Sequence, residues 1–181
     1  MKFEITTYGN PILKKKAVPV EKIDDSIKQL AKDMLDTMYS SNGLGLAAEQ
    51  VGRTEAICVI DLPSSLDVDE VTEQRVNPGV KMPVILVNPV ITKMEGTQIG
   101  QEGCLSFPEI FVSIKRAAQV EVKYKCLSGK DEVLSVSGLL ARTVQHEVDH
   151  LNGVLLVNHM SAVQKLSNSG KLKKLKKENK K

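Results

Sequence analysis

The sequence Gln145-His146-Glu147-Val148-Asp149-His150 places two imidazoles and two carboxylates within one short stretch of a chain that has three histidines. In an α-helix, His146 and His150 project from the same face, so their ring nitrogens can bind one cation. Glu147 then lies beside that cation without binding it. This is the H-E-x-x-H pattern, in which two histidines hold a metal ion and the glutamate transfers protons for a metal-bound water. The alternative is an exposed helix with solvated charges, so the metal hypothesis needs a third ligand and a helical context.

The residues around this pattern predict a helix that begins near Ser137 and ends at Asn152-Gly153. Its apolar residues form a stripe for the core, and a second stripe containing both histidines would line a pocket. This division suits a metal-binding helix beneath a substrate groove. The core stripe contains Leu140, Val144, Val148 and Leu151, and the pocket stripe contains Leu139, Thr143, His146 and His150.

The candidates for a third metal ligand are the acids and the cysteines. Cys104 stands out because Glu102-Gly103-Cys104-Leu105-Ser106 places a thiol after a glycine in a loop-like segment. A thiolate is a strong ligand for Zn²⁺ or Fe²⁺. Cys58 and Cys126 lie in strand-like runs, which favours a role as small buried hydrophobic residues. His159 is expected at the surface, because three protein ligands and a water complete a tetrahedral catalytic site.

The composition predicts one globular domain. The chain has 181 residues, of which 41% are hydrophobic and 26% charged. It has no apolar run long enough to span a membrane, no leader-like N-terminal segment, and three widely spaced cysteines that do not suggest a disulfide framework. We therefore expect a cytoplasmic protein that binds neither a membrane nor a specific DNA sequence.

Residues 165–181 contain eight lysines and one glutamate, a local charge of +7 in a chain of net charge +3, so residues 1–164 carry −4. This contrast predicts a catalytic domain over 1–164 and a basic C-terminal tail or helix extension over 165–181. Ser161 favours a helix start, and Leu166, Leu172 and Leu175 form a weak apolar set. The tail is either a frayed solubilising segment or a surface for RNA, because polycations gain affinity by releasing counterions from phosphate.

Periodicity elsewhere indicates an α+β chain with antiparallel pairing. Apolar spacing predicts a helix over 26–41. Alternating or β-branched runs predict several strands, with a hairpin turn at 127–130 and a polar surface insertion at 63–83. The predicted strands cover residues 55–62, 84–88, 111–115, 120–126 and 132–136.

The segment Gly43-Leu44-Gly45-Leu46-Ala47-Ala48-Glu49-Gln50 is small and mostly uncharged. We expect a loop that lets its backbone approach a ligand closely. A phosphate cradle is rejected because the spacing is not G-x-G-x-x-G, no lysine follows at the P-loop position, and the segment follows a helix instead of a strand.

Three segments together, Gly43–Gln50, Glu102–Ser106 and Gln145–His150, resemble in order and spacing the three signature motifs of peptide deformylases. The segment Gly9-Asn10-Pro11-Ile12-Leu13 is similar to that family too, and the resemblance covers about residues 3–160. It implies an α+β fold in which antiparallel sheets wrap around a central metal-binding helix, with an N-terminal helix and a C-terminal helix or tail. It also implies an enzyme that removes the formyl group from the N-terminal formylmethionine of newly synthesised polypeptides and releases formate. For the basic C-terminal tail, the resemblance implies contact with the ribosome.

The resemblance implies that Cys104, His146 and His150 bind the metal, with water in the fourth position. It implies Fe²⁺ as the usual ion, one per chain, although a His₂Cys site also suits Zn²⁺, Ni²⁺ and Co²⁺. Glu147 matches the general base and acid, which takes a proton from the metal-bound water that attacks the formyl carbon and later protonates the leaving amine. Gln50 and the backbone N–H of Leu105 match the groups that bind the developing oxyanion.

The candidates for substrate contacts are Leu44 and Leu139 as walls of a methionine pocket, together with Gly45, and Arg142 at the rim. For Arg142 the alternative is a solvated helix position. Carboxylates often orient metal-bound imidazoles, and Glu102 and Asp149 can act in this way. A structural ion pair is the alternative for both, with Arg116 as the partner.

Two positions depart from the family pattern. Glu49 stands where the family usually has proline, which affects the dynamics of the segment. Phe111 stands where many bacterial members have an arginine that can contact the peptide, so peptide preference beyond methionine is expected to differ.

Two rival functions remain at this point. A general metalloprotease shares H-E-x-x-H, but a short pocket around Cys104 and Gln50 favours a formyl group over an internal peptide bond. A structural metal-binding RNA protein would release no formate and would leave Gln50 and Glu147 without roles.

Overall fold

The chain folds into two antiparallel sheets around one central helix, in a computed structural model that describes residues 2–179. A five-stranded sheet has the order β1-β2-β3-β6-β7, and β4 pairs with β5 in a separate hairpin. The expected α+β class is confirmed. The strands are β1 (Gly45–Ala47), β2 (Ile57–Ile60), β3 (Val84–Glu95), β4 (Gln98–Cys104), β5 (Phe107–Arg116), β6 (Gln119–Lys125) and β7 (Asp131–Ser137).

The first helix, α1 (Asp25–Ser40), confirms the helix predicted over 26–41. It begins after Asp24, whose carboxylate accepts hydrogen bonds from the backbone N–H groups of Ser26 and Ile27. Its buried face packs on one side of the five-stranded sheet, including Val59 of β2. The buried residues of α1 include Leu30, Met34 and Met38.

The central helix, α2 (Gly138–Leu151), contacts β1, β2, β3, β6 and β7. Its apolar stripe of Leu140, Val144, Val148 and Leu151 joins the core between helix and sheet, as predicted. It ends before Gly153, which has a φ of +71° and donates its N–H to the His150 carbonyl. The five-stranded sheet therefore packs against the helix that carries H-E-x-x-H.

Two predictions about local structure were wrong. The segment 43–50, expected to be a loop, contains β1 and a 3₁₀ turn at Ala48–Val51, and the loop expected around Cys104 is the end of β4. Both segments become strands through partners distant in sequence, with Gly45 opposite Ile60 and Glu102 opposite Val112. Such pairing is a property of the fold and is weakly encoded in glycine-rich local sequence.

The two non-ligand cysteines differ in environment. Cys58 lies in β2 with no exposed surface, as predicted. The same prediction was wrong for Cys126, because β6 ends at Lys125 and Cys126 begins the turn, where its carbonyl accepts the N–H of Gly129. Cys126 is consequently half-buried.

The insertion at 63–83 is mostly exposed, as expected for a surface segment. Its organising residue is Asp67, which is buried at 2% exposure. The Asp67 carboxylate accepts hydrogen bonds from Arg75 and from both the backbone and side chain of Asn77. These bonds fold the insertion back on itself.

The C-terminal region contains α3 (Leu156–His159), α4 (Ala162–Ser167) and α5 (Ser169–Glu178). Leu172 and Leu175 of α5 are buried in a cluster with Tyr8 and Phe107, whereas Leu166 is exposed. The described part of the basic tail is therefore a helix packed on the body, and Lys180 and Lys181 lie outside the described residues. Within residues 2–179, no helix combines the length and apolar character needed to cross a membrane.

Candidate active site

A cavity of about 460 Å³ lies where the three sequence motifs meet. One wall is the segment before β1, one is the end of β4 and the start of β5, and the floor is α2. Nine of the residues named from the sequence as site residues line it, and His150 lies beneath it. The nine are Leu44, Gly45, Gln50, Cys104, Leu105, Leu139, Arg142, His146 and Glu147.

Cys104, His146 and His150 bring their ligand atoms within 4.8 Å of one another. Cys104 Sγ lies 3.3 Å from His150 Nε2, which lies 3.3 Å from His146 Nε2. A tetrahedral ion with bonds of about 2.3 Å to sulfur and 2.0–2.1 Å to nitrogen sets its ligands about 3.3–3.6 Å apart. The three side chains therefore fit one metal ion. Burial lowers the pKa of His150 well below its usual value, which favours the neutral imidazole that binds metals.

Glu102 connects one metal-ligand histidine to two buried arginines. Its Oε2 lies 3.1 Å from His146 Nδ1, and both carboxylate oxygens accept bonds of 2.9 Å from Arg116. Burial alone would raise the pKa of Glu102, but the hydrogen bonds from Arg116 and His146 hold it far below its usual range. Both expectations for Glu102 hold at once: it contacts an imidazole and forms an ion pair.

Asp149 forms the ion pair but contacts neither metal-ligand imidazole. Its Oδ2 lies 2.5 Å from Arg116 Nη1 and 2.8 Å from Nε2 of the exposed His159. His150 Nδ1 has no hydrogen-bond partner among residues 2–179. The carboxylates therefore orient only His146, and His159 belongs to the surface end of this network.

Glu147 points into the cavity from α2 and is 3% exposed. Its Oε2 is buried and has no hydrogen-bond partner within the described chain. Burial raises the pKa of Glu147 to about 7, with Glu102 adding to the effect and His146 opposing it. A carboxylate with a pKa near the working pH is suited to both accepting and returning a proton.

Gln50 has an orientation set by three contacts. Its Oε1 accepts the backbone N–H of Ala47 at 2.9 Å, so its NH₂ group faces the metal ligands. Nε2 lies 3.5 Å from Cys104 Sγ and 3.3 Å from the Ser106 hydroxyl. Ser106 was not among the site residues predicted from the sequence; the available signal was a serine two residues after Cys104.

Arg142 lines the cavity but is only 6% exposed, so the solvated-helix interpretation was wrong. Its guanidinium donates to the Glu102 carboxylate and to the carbonyl oxygens of Gly100 and Ile114. These bonds join α2 to the β4–β5 hairpin. Leu44 and Leu139, by contrast, are partly buried side chains that face the same space with apolar surface.

The family model for Polypeptide deformylase matches residues 2–166. The chain belongs to the polypeptide deformylase family. The peptide deformylase of Orientia tsutsugamushi strain Boryong is 41% identical over 173 residues, which cover 95% of this chain and 94% of that protein. The peptide deformylase of Helicobacter hepaticus is 40% identical over 174 residues, which cover 96% of this chain and 92% of that protein.

Solved deformylase structures share the fold. The crystal structure from Thermus thermophilus has a TM-score of 0.83 at 36% identity and covers 98% of this chain and 99% of its own. The structure from Synechococcus elongatus, in complex with actinonin, has a TM-score of 0.77 at 36% identity and covers 98% of this chain and 85% of its own. These matches confirm the fold and the enzyme class: a hydrolase of protein biosynthesis that removes the formyl group from an N-terminal methionine. They decide against the general metalloprotease and the structural RNA-binding protein.

Glu49 and Phe111, the two positions expected from the resemblance to depart from the family pattern, both lie next to the site. Glu49, which precedes Gln50, has no exposed surface, and neither carboxylate oxygen has a partner among residues 2–179. Burial raises its pKa to about 8, with the carboxylates of Glu147 and Glu55 adding to the effect. Phe111 lies at the cavity rim, 62% exposed, with its ring against the backbone of Gly103.

Proposed function

We propose that this deformylase acts in the cytoplasm on nascent polypeptides, with one divalent ion held by Cys104, His146 and His150. The observation that supports this best is the spacing of the three ligand atoms beneath the cavity that Glu147 and Gln50 line. Bound there, the ion supplies Lewis acidity, which lowers the pKa of a water toward neutrality and polarises the formyl carbonyl. One thiolate and two imidazoles suit Fe²⁺, Zn²⁺, Ni²⁺ or Co²⁺, and the family resemblance supports Fe²⁺ as the ion used in the cell.

Glu147 is proposed as the general base and acid. Its unpartnered Oε2 is free to accept a proton from the attacking water, and its buried position disfavours the charged form enough to return that proton. The acceptor of the returned proton is the amine of the departing methionyl peptide.

Gln50 and the backbone N–H of Leu105 are proposed to bind the oxyanion. Ala47 holds Gln50 Oε1, so Nε2 is the end that faces the site, and Leu105 follows directly after the thiol ligand. Donors fixed before the reaction stabilise developing charge without reorganisation, and one such donor is worth about 100- to 1,000-fold in rate.

Four residues are proposed to contact the substrate: Leu44, Gly45, Leu139 and Arg142. Leu44 and Leu139 supply apolar surface for the methionine side chain, and Gly45 exposes backbone beside Glu147. Arg142 lines the same cavity, and its bonds to Glu102 and the β4–β5 hairpin fix the position from which its side chain meets the substrate.

The decisive experiment is formate release by protein purified without oxygen, with metal analysis of the same sample. Formyl-Met peptide is the substrate, and acetyl-Met peptide and an internally cleavable peptide are the controls. We expect one ion per chain, formate together with a new free amine from the formyl peptide, and no new free amine from either control. Equal hydrolysis of the acetylated peptide, or full activity of metal-free protein, would contradict the proposal.

A second proposal concerns partners: the lysine face of α5 contacts ribosomal RNA. Leu172 and Leu175 hold α5 on the body, which leaves Lys173, Lys174 and Lys177 exposed as a fixed group of cations. Changing these three lysines to glutamate keeps the two leucines that anchor α5 and should abolish co-sedimentation with ribosomes at low salt. The control is a variant in which Lys2, Lys14 and Lys15 are changed to glutamate. Retained co-sedimentation would refute this role.

The division between a domain over 1–164 and an extension over 165–181 stays a prediction.

A further inference from the structure

Ser106 is a buried hydroxyl next to the oxyanion donor. It has no exposed surface, and its Oγ lies 3.3 Å from Gln50 Nε2. Its backbone is fixed independently, because its carbonyl oxygen accepts the N–H of Tyr8 at 2.8 Å. The backbone that carries the hydroxyl is therefore held in place beside Gln50.

The planar amide of Gln50 has two N–H groups that point in different directions. Its oxygen is already held by the N–H of Ala47. With Oε1 anchored there and one N–H directed to Ser106 Oγ, the remaining N–H is turned toward Cys104 Sγ, which lies 3.5 Å from Nε2. That is the side of the amide on which the metal ligands lie.

We propose that Ser106 is a positioning residue for deformylation: its hydroxyl accepts one N–H of Gln50 and thereby directs the other toward the formyl oxygen. The inference rests on the proposed function of Gln50 as an oxyanion donor. Ser106 is fully buried and does not line the cavity, so it acts through Gln50. Its effect is on the direction of a donor, and directed donors matter most in the transition state.

The kinetic test uses Ser106→Ala, Gln50→Ala and the double variant. Misplacing a catalytic group by about an ångström costs up to about 100-fold in rate. We therefore expect Ser106→Ala to lower kcat about 10- to 100-fold with little change in KM and the same metal content. In the Gln50→Ala background the same change should cost almost nothing. A buried hydroxyl that only fills space would lower kcat by the same factor in both backgrounds, and that result would overturn the proposal.

A second test reads the amide directly. In zinc-loaded protein with ¹⁵N-labelled glutamine, the Gln50 side-chain signal is identified by its loss in Gln50→Glu. Ser106→Ala should shift this signal and speed exchange of its protons, and Ser106→Cys, which keeps a weak acceptor, should fall between. An unchanged Gln50 signal in a folded Ser106→Ala protein would refute the contact.

The two tests separate the two proposals. Wild-type protein that releases no formate would contradict the proposed function, and the amide signal would still report on the Ser106 contact. Wild-type protein that releases formate alongside a fully active Ser106→Ala would contradict only the positioning role.

Discussion

The backbone of Gly45 lies against the carboxyl group of Glu147, and a methyl group at the Gly45 Cα would lie 2.7 Å from Glu147 Cδ. Gly45 has no left-handed φ, so alanine fits its backbone, and the three nearest atoms that the added methyl group meets all belong to Glu147. We expect Gly45→Ala to displace the carboxylate and lower kcat at least 100-fold while metal content stays the same. Gly79→Ala, where a methyl group meets nothing within 4 Å, is the control. Activity within a few-fold of wild type would contradict the proposed role of Glu147.

The buried carboxyl of Glu49 predicts a pH-dependent stability. Its pKa is about 8 in the folded chain against an ordinary value of 4.5, so between these pH values folding binds a proton that the unfolded chain has lost. Its contribution is thus fully present below about pH 4.5 and is lost as the pH rises through about 8.

Glu49→Gln removes this titration. Its free energy of unfolding should therefore exceed that of wild type by an amount that grows from pH 5 to pH 8. The difference should reach a few kcal/mol, because one pKa unit corresponds to about 1.4 kcal/mol. Urea unfolding of zinc-loaded wild type and Glu49→Gln at pH 5, 6.5 and 8 measures it. An equal difference at all three pH values would show that Glu49 has an ordinary pKa.

The two carboxylates bonded to Arg116, those of Glu102 and Asp149, should differ in their effect on stability and metal affinity. Glu102→Gln removes the carboxylate that pairs with the buried Arg142, leaves Arg116 with Asp149 alone, and loosens His146. We therefore expect a loss of about 3–5 kcal/mol in stability and 10- to 100-fold in metal affinity. Asp149→Asn alters only the part-exposed end of the network and should leave metal affinity unchanged. Zinc competition titrations of the two variants test this, and equal losses would contradict the orienting role of Glu102.

The sequence predicted the helices and the grouping of Cys104, His146 and His150 better than the walls of the cavity. H-E-x-x-H defines its own geometry once the segment is helical, and the spacing of α1 reports burial on one face. The pairing of Gly45 with Ile60, and of Glu102 with Val112, depends on residues far apart in the chain. The burial of Arg142 also depends on distant residues, because it follows from the position of the β4–β5 hairpin above α2. The residues next to Arg142 in the sequence do not predict it.

Phe111 at the cavity rim predicts a preference for apolar residues after the methionine. The ring is 62% exposed and rests on Gly103, where a methyl group would lie 2.7 Å from the ring, so it offers an apolar surface fixed in place. Burial of an apolar side chain against such a surface contributes roughly 1 kcal/mol, about fivefold in kcat/KM. We expect formyl-Met peptides with leucine downstream to exceed those with aspartate by this factor. Phe111→Arg should reverse the order because its charge attracts the carboxylate, and Phe111→Leu should keep it. If Phe111→Arg and Phe111→Leu show the same preference, the substrate does not reach this rim.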